Sequence, residues 1–199
     1  MDMFFPTADA PPEVKSSVPF LAGVLYKGEE TGYQFVKFVK TKDQVHSIAT
    51  PAFFSTVGVP PRLDLDGANE QIGEAHRAVC NDFGCNLNPT EKGQKNENPH
   101  AERAIGRIKE WYSRVVALHS PPDALYPYGY EMAVYVMNRT AGPDGMTPIE
   151  RMGMVAGGES NNIGHLLEYG EPVVFWDGAT RSGLRVPHRD GIYLGPSPH

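Results

Sequence analysis

The chain has 199 residues, enough for one ordinary domain and a small appendage. Its 40% apolar content supports a packed core rather than disorder, and no apolar run approaches the ~18–20 residues that a membrane-spanning helix needs. No basic and apolar leader precedes the fold, two cysteines are too few for a disulfide framework, and a net charge of −6 argues against tight autonomous binding to a polyanion.

Residues 2–5 read as a first strand and 6–12 as a loop. Residues 18–26 are apolar, residues 27–32 carry turn chemistry, and 33–40 alternate with Tyr33, Phe35, Lys37 and Val39 on one face, so the three read as a hairpin. A helix is expected over 41–58, kinked or split by Pro51. A short strand over 62–66 ends in an acid and a glycine. A helix over 70–83 is closed by Gly84, and 85–87 form an edge strand. Residues 88–98 are polar and without periodicity, which predicts a mobile loop.

The helix over 101–118 has the clearest pattern, with Ile105, Ile108, Tyr112 and Val115 on one face. Arg103, Arg107 and Arg114 form a stripe beside Glu102. Pro121 and Pro122 end it, and Asp123 can cap a further helix up to Asn138. From residue 171 the pattern turns to short strands over 173–176, 183–186 and 191–194.

Cys80 and Cys85 have His76 and His100 nearby, but zinc ligands usually come as two tighter pairs, so buried thiols are the plainer reading. His76, His119 and His165 carry no spacing signal. Tyr128, Tyr130 and Tyr135 suit helix packing better than base stacking.

Three acids stand apart. Asp2 lies in the first strand, Asp66 at a strand end, and Glu102 at a helix start, with thirty-five residues between the last two. Each has an ordinary explanation: a solvated terminal residue, a turn pair with Gly67, and an acid favoured by the helix dipole. Converging, they would hold a pair of hard divalent cations, which prefer oxygen ligands. Asp64-Leu-Asp66 also invites a phosphate-monoester hydrolase reading, though its strand context is wrong. Glu70 reads as a helix-start residue near the same point.

The words around these acids resemble the catalytic core of retroviral and copia-type retrotransposon integrases. Asp66-Gly-Ala-Asn-Glu70 is similar to the family's Asp-x-Gly-x-Glu element, and Asn98-Pro-His-Ala-Glu102-Arg103 to its Asn-Gly-x-Ala-Glu-Arg signature, with Pro99 replacing glycine. Residues 126–139, ending in Asn138-Arg139, resemble the helix that follows. Thr147-Pro148-Ile149-Glu150 matches the Thr-Pro-x-Glu continuation, and residues 165–170 and 191–195 resemble segments entering and forming a small barrel. Asp2 has fewer residues before it than the family's first acid, and the chain carries neither the family's upstream zinc module nor a long basic tail, so it reads as truncated.

The resemblance implies an α/β, RNase H-like core over 1–153, a mixed five-stranded sheet flanked by helices, and an incomplete Src-homology-3-like barrel over 165–199. It implies DNA strand transfer, with one Mg²⁺ or Mn²⁺ held by Asp66 and Asp2 and a second by Asp2 and Glu102. DNA contacts are expected from Lys92, Lys95, Asn98, Arg103, Arg107 and Lys109, where basic residues outnumber acids. Arg103 suits a phosphate or a carboxylate of its own domain equally well. The partners implied are retroelement ends and target DNA, in a homo-oligomer within the nucleus, away from membranes. The rival reading is a decayed core that only binds nucleic acid or protein.

Overall fold

Strand β2 (Ala22–Lys27) sets the layering, because apolar side chains leave it on both faces. Ala22, Val24 and Tyr26 are buried on one side and Leu25 on the other, as the period of two requires. The computed structural model of the chain describes residues 1–4, 20, 22–65, 73–89, 99–154, 167, 169–176 and 188–196. β1 (Asp2–Phe4) and β3 (Gln34–Val39) pair with β2 on either side, both antiparallel, with Asp2 opposite Leu25 and Phe4 opposite Gly23. The Phe4 ring lies over that glycine so closely that a Cβ there would stand 2.4 Å from it.

On one face, β2 and β3 pack against a group of helices that the sequence only partly reveals. The helix expected from residue 41 starts as a π-helical turn, Val45–Ala49, and continues as α1 (Thr50–Val57). The Thr50 amide reaches back to the Val45 carbonyl, and Pro51 follows directly. The expected helix is thus split beside Pro51, and the split takes the form of a widened turn. Helix α2 (Glu74–Asp82) starts after an extended Gly73, four residues later than expected. It closes as foreseen on Gly84, with φ of 75°. The Gly84 amide donates to Asn81 (2.9 Å) and the Cys85 amide to Cys80 (2.8 Å), the paired bonds of a Schellman ending.

Strand β4 (Arg62–Leu65) runs parallel to β5 (Asn86–Pro89), Asp64 lying opposite Asn88. β5 therefore extends two residues past its expected end, into the segment read as loop. The five strands do not form the single continuous sheet expected. Among the described residues they form a three-stranded sheet, ordered β1-β2-β3, and a two-stranded one, β4-β5. With three residues, β1 is too short to carry a regular ladder on both edges, but the Met1 nitrogen still donates to the Asp64 carbonyl at 2.6 Å and joins the two sheets.

The opposite face of β2 and β3 is covered by α3 (Pro99–His119) and α4 (Tyr126–Asn138). Ala104, Ile105 and Ile108 of α3 meet Phe4, Leu25, Val36 and Phe38 of the sheet, joined by Tyr126, Tyr130 and Ala133 of α4. Asp123 does not cap α4; it lies in a 3-10 turn, Asp123–Leu125, and Leu125 occupies the cap position before Pro127. Asn138 ends α4 by clamping the edge strand: its amide accepts from the Gln34 nitrogen (2.9 Å) and donates to the Gln34 carbonyl (2.7 Å). Thr147 and Glu150 form a capping box on the short α5 (Pro148–Arg151). Of the three tyrosines expected to pack, Tyr130 is buried, Tyr135 is half-buried beneath the Arg139 guanidinium, and Tyr128 is exposed.

The C-terminal hairpin, β6 (Pro172–Trp176) and β7 (His188–Ile192), is antiparallel. Tyr169, Tyr193 and Leu194 beside it pack on Val115 of α3 and on Met132 and Val136 of α4. The expected strand over 183–186 lies outside the described residues, and no closed barrel is present among the described ones. Among them too, no helix is long and apolar enough to cross a membrane.

Candidate active site

β1 and the first three turns of α3 border an open cleft of about 440 Å³, lined by Asp2, Met3, Phe4, Glu102, Ile105, Gly106 and Lys109. The pairing of β1 with β2 and the packing of Phe4 on Tyr130, with ring centroids 5.3 Å apart, fix the Asp2 side. The Asp2 carboxylate accepts from the Met3 amide at 2.7 Å. On α3, Ala101, Ala104, Ile105 and Ile108 bury one stripe against the sheet. Glu102, Gly106 and Lys109 follow at steps of four and three along the adjacent stripe, which stays exposed. The structure thus brings two of the three sequence-identified acids, Asp2 and Glu102, to one cleft and adds a cation, Lys109, beside them.

Asp66 lies outside the described residues, as do Glu70, Lys92, Lys95 and Asn98. The strand leading to Asp66 is described up to Leu65, which is buried, and it is tied to β1 by the Met1–Asp64 bond. No group of three metal-ligating side chains occurs among the described residues.

Asp64 points to different chemistry from Asp2 and Glu102. Its carboxylate accepts from the Asn88 amide (2.6 Å) and from Arg62 Nε (2.7 Å). Burial pushes its pKa up, but these two partners outweigh that and hold it below the usual carboxylate range. These contacts all fall on Oδ1, and the one from Asn88 ties β4 to β5 at this position.

Arg103 and Arg107 are exposed but stand away from the cleft. At ~100° per residue, they lie roughly 100–140° round α3 from Glu102, across the exposed crest of the helix. Arg114 pairs with Glu110 at 2.6 Å, one turn earlier. A contact that sequence reasoning missed runs from Lys27, at the end of β2, whose Nζ donates to the His100 carbonyl at 3.1 Å. No sequence signal could have found it, since pairing with α3 depends on how the helix crosses the sheet.

His76, Cys80 and Cys85 belong to the other face. His76 Nε2 is 3.0 Å from Thr50 Oγ1, which is 2.8 Å from the Tyr26 hydroxyl, all buried. Burial, reinforced by His46, pushes His76 down to about 4. Burial beside Cys85 pushes Cys80 up to about 12. These are satisfied core groups rather than reactive ones.

The sequence matches no protein-family model and no curated protein. The fold does match solved structures. The magnesium complex of the HTLV-2 integrase catalytic core in its dimeric form superposes with a TM-score of 0.54 at 14% identity, over 66% of this chain and 83% of that one. Its trimeric form gives 0.50 at 15%, over 65% and 91%. The simian T-cell lymphotropic virus intasome, in complex with the PP2A regulatory subunit B56 gamma, gives 0.58 at 13%, over 86% and 61%. At these identities the likeness establishes the mixed α/β fold of a retroviral integrase catalytic core.

Proposed function

We propose that this chain, on an integrase-core fold, is a DNA strand transferase of the copia retrotransposon type, working in the cleft between β1 and α3. The observation that carries the reading is the meeting of Asp2 and Glu102 in one cleft, on a fold shared with integrase cores. The fold reading extends to an RNase H-like core over 1–153, with a small barrel after residue 165.

The donor set suits a metal pair. Asp2 and Glu102 offer carboxylate oxygens only, and Asp66, following a strand tied to β1, is the third donor of this reading. Mg²⁺ or Mn²⁺ bound by these three would lower the pKa of a 3′-hydroxyl and offset charge on the leaving oxygen. The chain's own residues do the rest. Lys109 attracts a phosphate to the cleft's edge, and the buried stripe of α3 holds Glu102 rigidly toward β1. The 3′-oxygen of the element's DNA end attacks a target phosphodiester in line. A new P–O bond forms, the bond to the target's 3′-oxygen breaks, and that oxygen takes up the proton. Phosphate contacts of this kind carry little sequence information, so target preference is weak. The working form is an assembly of several copies on DNA, in the nucleus.

A strand-transfer assay with labelled oligonucleotides and Mg²⁺ or Mn²⁺ tests the reading. Joined product from the wild type and none from Asp66→Asn supports it. Product from a folded Asp66→Asn variant overturns the metal assignment. DNA binding without any transfer by the wild type favours the binding-only core instead.

A further inference from the structure

Glu102 is the fourth residue of α3, in the turn least supported by the core. Helix ends fray, and a carboxylate carried there keeps its place only as well as the turn does. The apolar cluster beneath α3 takes in Ala104, Ile105 and Ile108, all beyond Glu102. Ala101 is buried ahead of them, but a methyl group gives little contact. A polar tie does reach the first turn: Lys27 Nζ donates to the His100 carbonyl at 3.1 Å, from 73 positions away in sequence. Local electrostatics opposes a lysine there. The positive end of the helix dipole disfavours a cation, and Lys27 is half-buried. The hydrogen bond offsets these costs, because a carbonyl has a second lone pair to offer.

The register of β2 gives this bond its consequence. Asp2 lies opposite Leu25, two residues before Lys27, and Glu102 lies two residues after His100. With a period of two, Leu25 and Lys27 leave the strand on the same face, the one that α3 covers. One strand therefore holds both acids, Asp2 through the backbone ladder and Glu102 through the lysine.

We propose that Lys27 is a positioning residue of the candidate site: it fixes the first turn of α3 on β2 and so sets Glu102 against Asp2 for a shared divalent cation. The proposal rests on the reading of the cleft as a metal-dependent strand-transfer site. Lys27 acts through the His100 backbone and touches neither metal nor DNA.

The test pairs hydrogen-exchange mass spectrometry of the metal-free full chain with an Mn²⁺ titration read by electron paramagnetic resonance. Lys27→Met keeps the side chain's length and loses its donors. It is expected to raise exchange in peptides over 99–104, to leave α4 peptides unchanged, and to weaken Mn²⁺ binding by about tenfold, the scale for losing a contact that supports a metal ligand. Strand transfer should recover at saturating Mn²⁺. Lys27→Arg, which can still donate, should restore both readouts. Unchanged exchange in a folded Lys27→Met variant overturns the anchor. Raised exchange with wild-type Mn²⁺ affinity overturns its role at Glu102. A fall of about 0.9 in the slope of log DNA affinity against log salt would make Lys27 a direct phosphate contact and overturn the indirect role. In each of these cases, loss of Mn²⁺ binding in Glu102→Gln leaves the strand-transfer reading standing, whereas a wild type that binds no Mn²⁺ overturns both.

Discussion

On one face of the central sheet, Tyr26, Thr50 and His76 form a buried hydrogen-bonded chain beside Cys80 and Cys85. At the edge of the other face, Asp2, Glu102 and Lys109 line a cleft open to water. The first group carries strongly shifted pKa values, whereas geometry and charge type single out the second. Perturbed titration often marks functional sites, but it marks any buried group that the fold has satisfied. Here the contrast is one of exposure and charge type: burial favours the neutral forms of His76 and Cys80, and Asp2 and Glu102 border a cleft that a ligand can enter.

The largest effect that would sharpen this contrast is at Glu102. Glu102→Gln should cut strand transfer by at least about 10³-fold, the scale of several kcal/mol of charge stabilisation, with little change in stability. Steady-state transfer and a denaturant titration measured together check both halves. Next in size is Gly23→Val. With the Phe4 ring 2.4 Å from any added Cβ, the substitution should cost about 1–3 kcal/mol and shift the cleft wall that Phe4 and Asp2 share, read as a lower denaturant midpoint. An unchanged midpoint would mean β1 is not seated as described.

The buried face predicts a pH dependence. His76 has a folded pKa near 4, below its unfolded 6.5, so the unfolded chain binds more protons between those values. Stability should be full above pH 6.5 and fall toward pH 4, by no more than about 1.4 kcal/mol per pH unit for one proton. Thermal melts between pH 4 and 7 should show a shallower decline for His76→Gln than for the wild type, and an identical decline would place the titrating group elsewhere. The smallest effect is at the cleft floor. Gly106 lies mid-helix, and a methyl group added there would meet nothing within 4 Å, so Gly106→Ala should gain about 0.5–1 kcal/mol by thermal melting. A loss would show that the cleft closes over Gly106 in solution.

Much of the fold was legible in local chemistry. The i, i+3, i+4 spacing of Ile105, Ile108, Tyr112 and Val115 marked α3, and Gly84 marked the end of α2, because both signals act within a few residues. Several resembling words also turn out to have structural work: Asn138 clamps β3, and Thr147 with Glu150 caps α5. The misses depended on distant or competing contacts. The start of α2 was set by an extended Gly73, the π-helical form of the split at Pro51 was not foreseen, and β5 ran on because Asn88 bonds to Asp64. In the candidate site, the sequence pointed to a meeting of Asp2, Asp66 and Glu102; Asp2 and Glu102 line one cleft, and Asp66 lies outside the described residues. Lys27 was invisible because it reaches α3 only through the crossing of helix and sheet.

The most direct test of the central claim is Mn²⁺ binding, followed by electron paramagnetic resonance, to the wild type and to Asp2→Asn, Asp66→Asn and Glu102→Gln. Each variant is expected to stay folded and to lose binding relative to the wild type, because the three carboxylates act on the same ions. Wild-type binding retained in Asp66→Asn, while Asp2→Asn and Glu102→Gln lose it, would contradict the three-acid centre. Equal binding by all four chains would show that the cleft between β1 and α3 is not a metal site.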